Sequence, residues 1–144
     1  MIRALLVAAC GAVAVAAGLA AVLLRRRFVV VRVDGKSMEP TLRDGDRVLV
    51  RRTSIADVPA GAVVVLEPPE PMVGLRWMVK RAVALPGDPV PRETVPALRD
   101  VPERLVPDDC IVVLGDNTER SHDSRTAGYF PAATLLGPVI RQLR

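Results

Sequence analysis

The stretch VRVDGKSMEPTLRDGDRVLV, residues 31–50, holds one serine, Ser37, between an Asp34-Gly35 turn and Pro40. A serine hydroxyl is a poor nucleophile until a base takes its proton. The corner around it suits one. Gly35 allows a sharp bend and close approach of a substrate backbone. Pro40 stiffens the turn, and backbone N–H groups at such a corner can face a developing oxyanion. The same residues also fit an ordinary serine-containing turn between two strands.

Two kinds of base are available. The single histidine, His122, lies in the polar run SHDSR. A Ser37–His122–Asp123 triad can be drawn, but Asp123 is adjacent to His122 in sequence and would need an awkward backbone to hold its ring. The second kind is lysine. After Phe28 the chain has fourteen arginines and only two lysines, Lys36 and Lys80. Arginine stays protonated at any working pH, whereas a buried lysine can lose its proton. Lys80 falls in LRWMVKRAVAL (75–85), where strand alternation puts Met78, Lys80 and Ala82 on one face. Burial there would push the amine below its usual pKa of about 10.4, and a shift of about three units corresponds to roughly 4 kcal/mol. A surface lysine with its stem along the strand is the competing reading.

GDNTERSHDSR (115–125) concentrates polar groups after an apolar run. It reads either as a solvated loop or as the support of a catalytic side chain. In the second case Ser121 hydrogen-bonds the amine of Lys80, while Asp116, Asp123, Arg81 and Arg125 form ion pairs that fix the loop.

Short apolar runs separated by turn residues must position these groups. Strands are expected at 28–33, 46–52, 62–66, 75–85, 110–114 and 138–143. Residues 86–107 hold six of the thirteen prolines and read as irregular or edge structure. No run after residue 27 shows convincing helical periodicity. The expectation is a mostly β protein, with an N-terminal transmembrane helix in residues 1–27 and a small antiparallel, barrel-like β domain in 28–144.

The N-terminal segment is distinct. Residues 4–24 contain no charge and no proline, and 21 helical residues span roughly 30 Å, a bilayer core. A cleaved secretory signal is the competing reading, with Ala12-Val13-Ala14 as a small-x-small site. Four arginines (3, 25, 26, 27) precede residue 28 with no acid, and the other sixteen Lys+Arg balance sixteen Asp+Glu. The basic character therefore suits anionic lipid and leaves no nucleic-acid footprint. Arg25–Arg27 outweigh Arg3 and the terminal amine, so charge alone mildly favours a cytoplasmic C-terminal domain. Cys10 and Cys110 lie too far apart in character to pair, and no metal-ligand spacing is present.

Four stretches, SMEPTL (37–42), GDRVLV (45–50), KRAVALPGD (80–88) and GDNTERSHDSR (115–125), closely resemble, in order, the boxes of type I signal peptidases. These are membrane-bound Ser–Lys proteases with an N-terminal anchor, and the resemblance runs from the helix to about residue 131. It implies Ser37 as nucleophile and Lys80 as general base. Ser121 would orient the lysine, Asp123 would pair with Arg125, and Arg81 with Asp116. Met38 would line a pocket for small residues, typically of an Ala-x-Ala site, and Met78 is grouped with it as a substrate-side residue. Gly35 stands where some members carry a serine that donates to the oxyanion, so the hole would rely on the Ser37 N–H and one further donor. The short stretch between Pro86-Gly87-Asp88 and Cys110 has no room for the second β domain of larger members. The resemblance implies no metal or cofactor. It also implies a single-pass protein of the cell membrane, its catalytic domain on the extracytoplasmic face, against the charge argument. Its partners would be the lipid bilayer and the signal peptides of exported preproteins.

Two other functions fit parts of this pattern. One is a dedicated maturation peptidase of the same chemistry serving one or a few substrates. The other is a catalytically silent, membrane-tethered module that binds peptides. A self-cleaving Ser–Lys repressor would need a DNA-binding helical domain where this chain has an apolar segment.

Overall fold

The computed structural model of the chain describes residues 2–69 and 74–143, with side chains from residue 13 onward. A helix, α1 (Ile2–Arg27), runs straight into the first strand with no linker. Seven strands follow: β1 (Phe28–Arg32), β2 (Arg47–Arg51), β3 (Val63–Leu66), β4 (Met78–Ala84), β5 (Cys110–Leu114), β6 (Phe130–Pro131) and β7 (Leu135–Leu143). A four-residue helix, α2 (Ser124–Ala127), lies between β5 and β6.

The strands are built from valine-rich runs, whose branched side chains fit a pleated, packed surface. In β2 the alternation is plain: Val48 and Val50 are buried while Arg47 and Arg51 are exposed. All pairings are antiparallel, in the order β1-β2-β7-β3-β4-β5-β6. β7 serves both halves of the sheet. Leu135, Gly137 and Pro138 pair with β3, whereas Val139–Leu143 pair with β2. At the changeover Gly137 has φ +148°, and a Cβ there would run into the carbonyl of Arg51. This glycine lets the two halves of the sheet meet.

The sheet class matches the sequence expectation, but among the described residues no pairing joins β1 to β6. The barrel-like closure is therefore not made by hydrogen bonds. β6 has only two residues, one a proline without an N–H, and offers no ladder to close on. Among the described residues no helix is long and apolar enough to cross a membrane. The apolar run expected to do so, residues 4–24, falls partly outside the described side chains, as do Cys10 and Ala12 of the possible cleavage site.

Three apolar clusters form the core. Met38, Leu42, Val48, Val50, Val65 and Val79 pack in the first. Met78, Ala82, Ile111, Val113 and Phe130 belong to the second. The third joins Ala84 and Val112 to Val90, Val95, Leu98 and Val106 of the proline-rich segment. Each fully buried valine or leucine contributes about 1.5–3 kcal/mol relative to exposure. The proline-rich segment is thus irregular but packed. Arg92 holds it from inside, donating from Nη1 to the carbonyls of Arg99 (2.8 Å) and Val101 (2.7 Å) and from Nη2 to that of Glu103 (2.6 Å).

Candidate active site

Ser37 sits in the loop between β1 and β2. Backbone bonds close the loop at its base, from Val33 N to Asp46 O and from Gly45 N to Val33 O, both 2.8 Å. Inside it, Gly35 takes φ +87° and its N–H donates to Asp44 Oδ1 at 2.7 Å. That N–H is therefore not offered to an oxyanion. The side chains of Met38 and Leu42 drop into the first core cluster. With Met38 fully buried as a plug, its neighbour Ser37 is held half-buried at the surface. Among the described residues the Ser37 N–H has no acceptor.

Lys80 lies in the middle of β4, between β3 and β5. Alternation places Met78, Lys80 and Ala82 on one face, and all three are buried. Lys80 is only 4% exposed, whereas Lys36 is exposed. Burial lowers the Lys80 amine below its ordinary value; nearby Asp123 acts to raise it, and Arg125 to lower it again. Among the described residues no hydrogen bond joins the Ser37 hydroxyl to this amine.

Asp123 organises the loop beyond β5. Its carboxylate is fully buried and has four donors. Oδ2 accepts from Ser121 Oγ (2.6 Å), Gly115 N (2.8 Å) and Arg125 Nη1 (2.8 Å), and Oδ1 accepts from Arg125 N (3.0 Å), capping α2. A buried carboxylate is costly unless it is satisfied in this way. The Ser121 hydroxyl therefore donates to Asp123 and not to Lys80, and what it can offer an amine is its lone pairs. His122 is exposed, and none of the Asp123 bonds goes to it. The Ser37–His122–Asp123 triad is not assembled.

The third element ties loop to strand. Arg81, beside Lys80 on β4, grips Asp116 with two bonds, Nε to Oδ1 at 2.9 Å and Nη2 to Oδ2 at 2.7 Å. Thr41, from the Ser37 loop, donates to the same Oδ2 at 2.5 Å. Arg81 first, and Thr41 in addition, hold the Asp116 carboxyl below its usual range. Next to Asp116, Asn117 N donates to Ser37 O at 2.9 Å. A Cβ on Gly115 would stand 2.6 Å from Ser37 O and would overlap the Ser121 side chain.

Of the expected residues, the structure thus pairs Arg81 with Asp116, and Arg125 and Ser121 with Asp123. It places Lys80 in the field of Asp123 and Arg125, and Ser37 O against the Gly115–Asn117 backbone. Met38 lies in the first core cluster and Met78, at 7% exposure, in the second. Thr41, Gly115, Asn117 and Ser124, whose buried Oγ accepts from Val113 N at 2.9 Å, were not singled out from sequence. Gly115 and Asn117 act through backbone, which leaves no side-chain signal.

A buried lysine on β4 and a half-exposed serine on a loop tied to that strand through Asp116 suit acyl transfer. The chain matches a family model described as "Signal peptidase, peptidase S26" over residues 5–97 and 91–142. It is 31% identical over 143 residues to a probable signal peptidase I-1 of Synechocystis sp., covering 82% of this chain and 73% of that protein. It is 32% identical over 155 residues to signal peptidase I of Bacillus amyloliquefaciens, covering 88% and 81%. It is also 34% identical over 113 residues to mitochondrial inner membrane protease subunit 1 of Xenopus tropicalis, covering 76% and 65%. With the family match extending from the helix to the last strand, this chain belongs to the signal peptidase family.

Proposed function

We propose that this peptidase cuts its substrates by acyl transfer through Ser37 and Lys80. The activity is removal of signal peptides from preproteins. The observation that carries the residue assignment is the contrast between the two lysines. One is buried, with its proton affinity lowered, on a strand pinned to the Ser37 loop, and the other lies in solvent.

Neutral Lys80 takes the proton of Ser37, and Ser37 Oγ attacks the carbonyl carbon after a small residue. The oxyanion faces the Ser37 N–H. The lysine ammonium then protonates the leaving amine, and the C–N bond breaks. Lys80, neutral again, takes a proton from a water whose oxygen attacks the ester carbon; the C–Oγ bond breaks, the ammonium returns the proton to Ser37 Oγ, and the new carboxylate is freed. The Ser121 hydroxyl, its own proton committed to Asp123, accepts an N–H of the amine and turns the nitrogen lone pair toward Ser37. Met38, next to Ser37, backs the pocket for small side chains, as in an Ala-x-Ala site, and Met78 lies beside Lys80 on its face of β4. Gly35 leaves room for the substrate backbone, since nothing lies within 4 Å of where its Cβ would be.

We further propose that residues 1–27 anchor the chain in the bilayer as a single pass and that 28–144 form the peptidase domain on the extracytoplasmic side. The charge-free run 4–24 and the helix Ile2–Arg27 support this reading. The comparisons favour neither a single-substrate maturation peptidase nor a silent module. The test is cleavage of a preprotein bearing an Ala-x-Ala site by detergent-solubilised chain, beside Ser37→Ala and Lys80→Ala. Loss of about 10²-fold or more in both variants is expected; cleavage retained in either overturns the dyad.

A further inference from the structure

Away from the Ser37 corner, Arg27, Arg51, Arg52, Thr53 and Asp57 line an open cleft of about 440 Å³. Three parts of the chain meet there. Arg27 ends α1, Arg51 ends β2 opposite Phe28, and the Arg52 N–H donates to Arg27 O at 2.8 Å. The backbone is held firmly. The Arg51 carbonyl is pressed onto Gly137, and Thr53 N donates to Leu136 O at 3.4 Å.

Three arginines and one aspartate line this cleft. Asp57 makes no ion pair with them among the described residues; its Oδ2 accepts from Thr53 Oγ1 at 3.0 Å and Ser54 Oγ at 3.3 Å. Among the described residues, ion pairs within 4.0 Å involve Arg81 and Arg125 only. Like charges are normally spread apart, because each raises the cost of the next. A cleft lined by three arginines without an ion-pair partner among the described residues and a single aspartate carries net positive charge on a fixed backbone, and suits a multidentate anion. Guanidinium geometry matches the paired oxygens of a phosphate.

Location selects the kind of phosphate. This step rests on the anchor reading. The charge-free run ends at residue 24, and Arg27 lies about 4.5 Å further along the helix. With no linker before β1, the cleft is fixed at the depth of the lipid headgroups. We propose that Arg27, Arg51 and Arg52 bind the phosphodiester of an anionic phospholipid, seating the peptidase domain against the bilayer at a fixed height.

The test uses the full chain in mild detergent with soluble dihexanoyl-phosphatidylglycerol as probe, and dihexanoyl-phosphatidylcholine and inorganic phosphate beside it. Retention is read by native mass spectrometry. Phosphatidylglycerol should be retained over the other two, and Arg51→Gln/Arg52→Gln should weaken this about tenfold, the size of two exposed charge contacts. The equally charged control Arg99→Gln/Arg104→Gln should leave it unchanged. Equal loss in the control pair, or no loss in Arg51→Gln/Arg52→Gln, overturns the site. Inorganic phosphate bound as tightly as phosphatidylglycerol overturns the lipid as its occupant. Alkaline carbonate extraction of membranes reports the anchor separately. A chain that washes off while still retaining phosphatidylglycerol in detergent contradicts the anchor and spares the site.

Discussion

Asn117 donates its backbone N–H to the carbonyl of Ser37 at 2.9 Å, so the last loop of the site holds the serine by its main chain. This contact exists because Gly115 lets the two strands of backbone approach. A methyl on Gly115 would sit 2.6 Å from the Ser37 carbonyl and inside the Ser121 side chain. Both neighbours are fixed, one as backbone and one by its bond to Asp123, so neither can yield cheaply. Gly115→Ala should cost about 1–3 kcal/mol in thermal or denaturant unfolding, and cleavage by the folded fraction should fall more than 10-fold as the serine is displaced.

Lys80 should act against stability at neutral pH. Its folded pKa is depressed, so between that value and the ordinary 10.5 the unfolded chain binds more protons than the folded one. Its burial cost is full below the folded pKa and disappears as pH rises to the ordinary value. Lys80→Met should therefore be inactive yet more stable by about 1–3 kcal/mol at pH 7. The gap should narrow in unfolding curves taken toward pH 10.

Arg125 offsets Asp123. The carboxylate draws a proton onto Lys80, and the guanidinium bonded to it at 2.8 Å opposes that pull. Arg125→Gln removes the opposing charge, so the lysine pKa rises. The pH–rate profile should move to higher pH, with most of the loss at pH 7 regained in alkaline buffer. A purely structural role for Arg125 would lower the rate equally at every pH.

Arg92 should matter to folding and little to chemistry. Its guanidinium satisfies carbonyls of Arg99, Val101 and Glu103 that the proline-rich segment cannot pair in a ladder. Arg92→Gln should lower stability by about 2–4 kcal/mol, since bonds to a charged donor are the stronger kind. Limited proteolysis should cut within residues 86–107, while the cleavage rate of the remaining folded enzyme stays near wild type.

How far the sequence reached is clearest at particular residues. The valine runs located six strands, because branched side chains in alternation carry that signal directly. β7 begins at Leu135, three residues before the expected Pro138, because Gly137-Pro138 has the composition of a strand stop. Its role as the meeting point of two half-sheets depends on the Arg51 carbonyl, which is remote in sequence. Phe130–Pro131 was too short to see. Alternation placed Lys80 with Met78 and Ala82 but gave no contrast with Val79, which is buried as well, because both faces of this central strand are covered. Lysine scarcity pointed to Lys80, and the ordered boxes carried the family. The bond from the Ser121 hydroxyl to Asp123 adds to its expected contact with the amine and is not legible in the sequence. Ser121 and Asp123 lie only two residues apart, and their bond depends on the turn that buries the carboxylate.

The central claim is that Lys80 is the base for Ser37. The most direct test is to titrate the Lys80 ε-amine by NMR in the full chain and to measure kcat/KM for preprotein cleavage across the same pH range. One midpoint is expected for both, below the ordinary 10.5, with the kinetic inflection absent in Lys80→Arg. A lysine that titrates at its ordinary value, or a rate that ignores its titration, would contradict it.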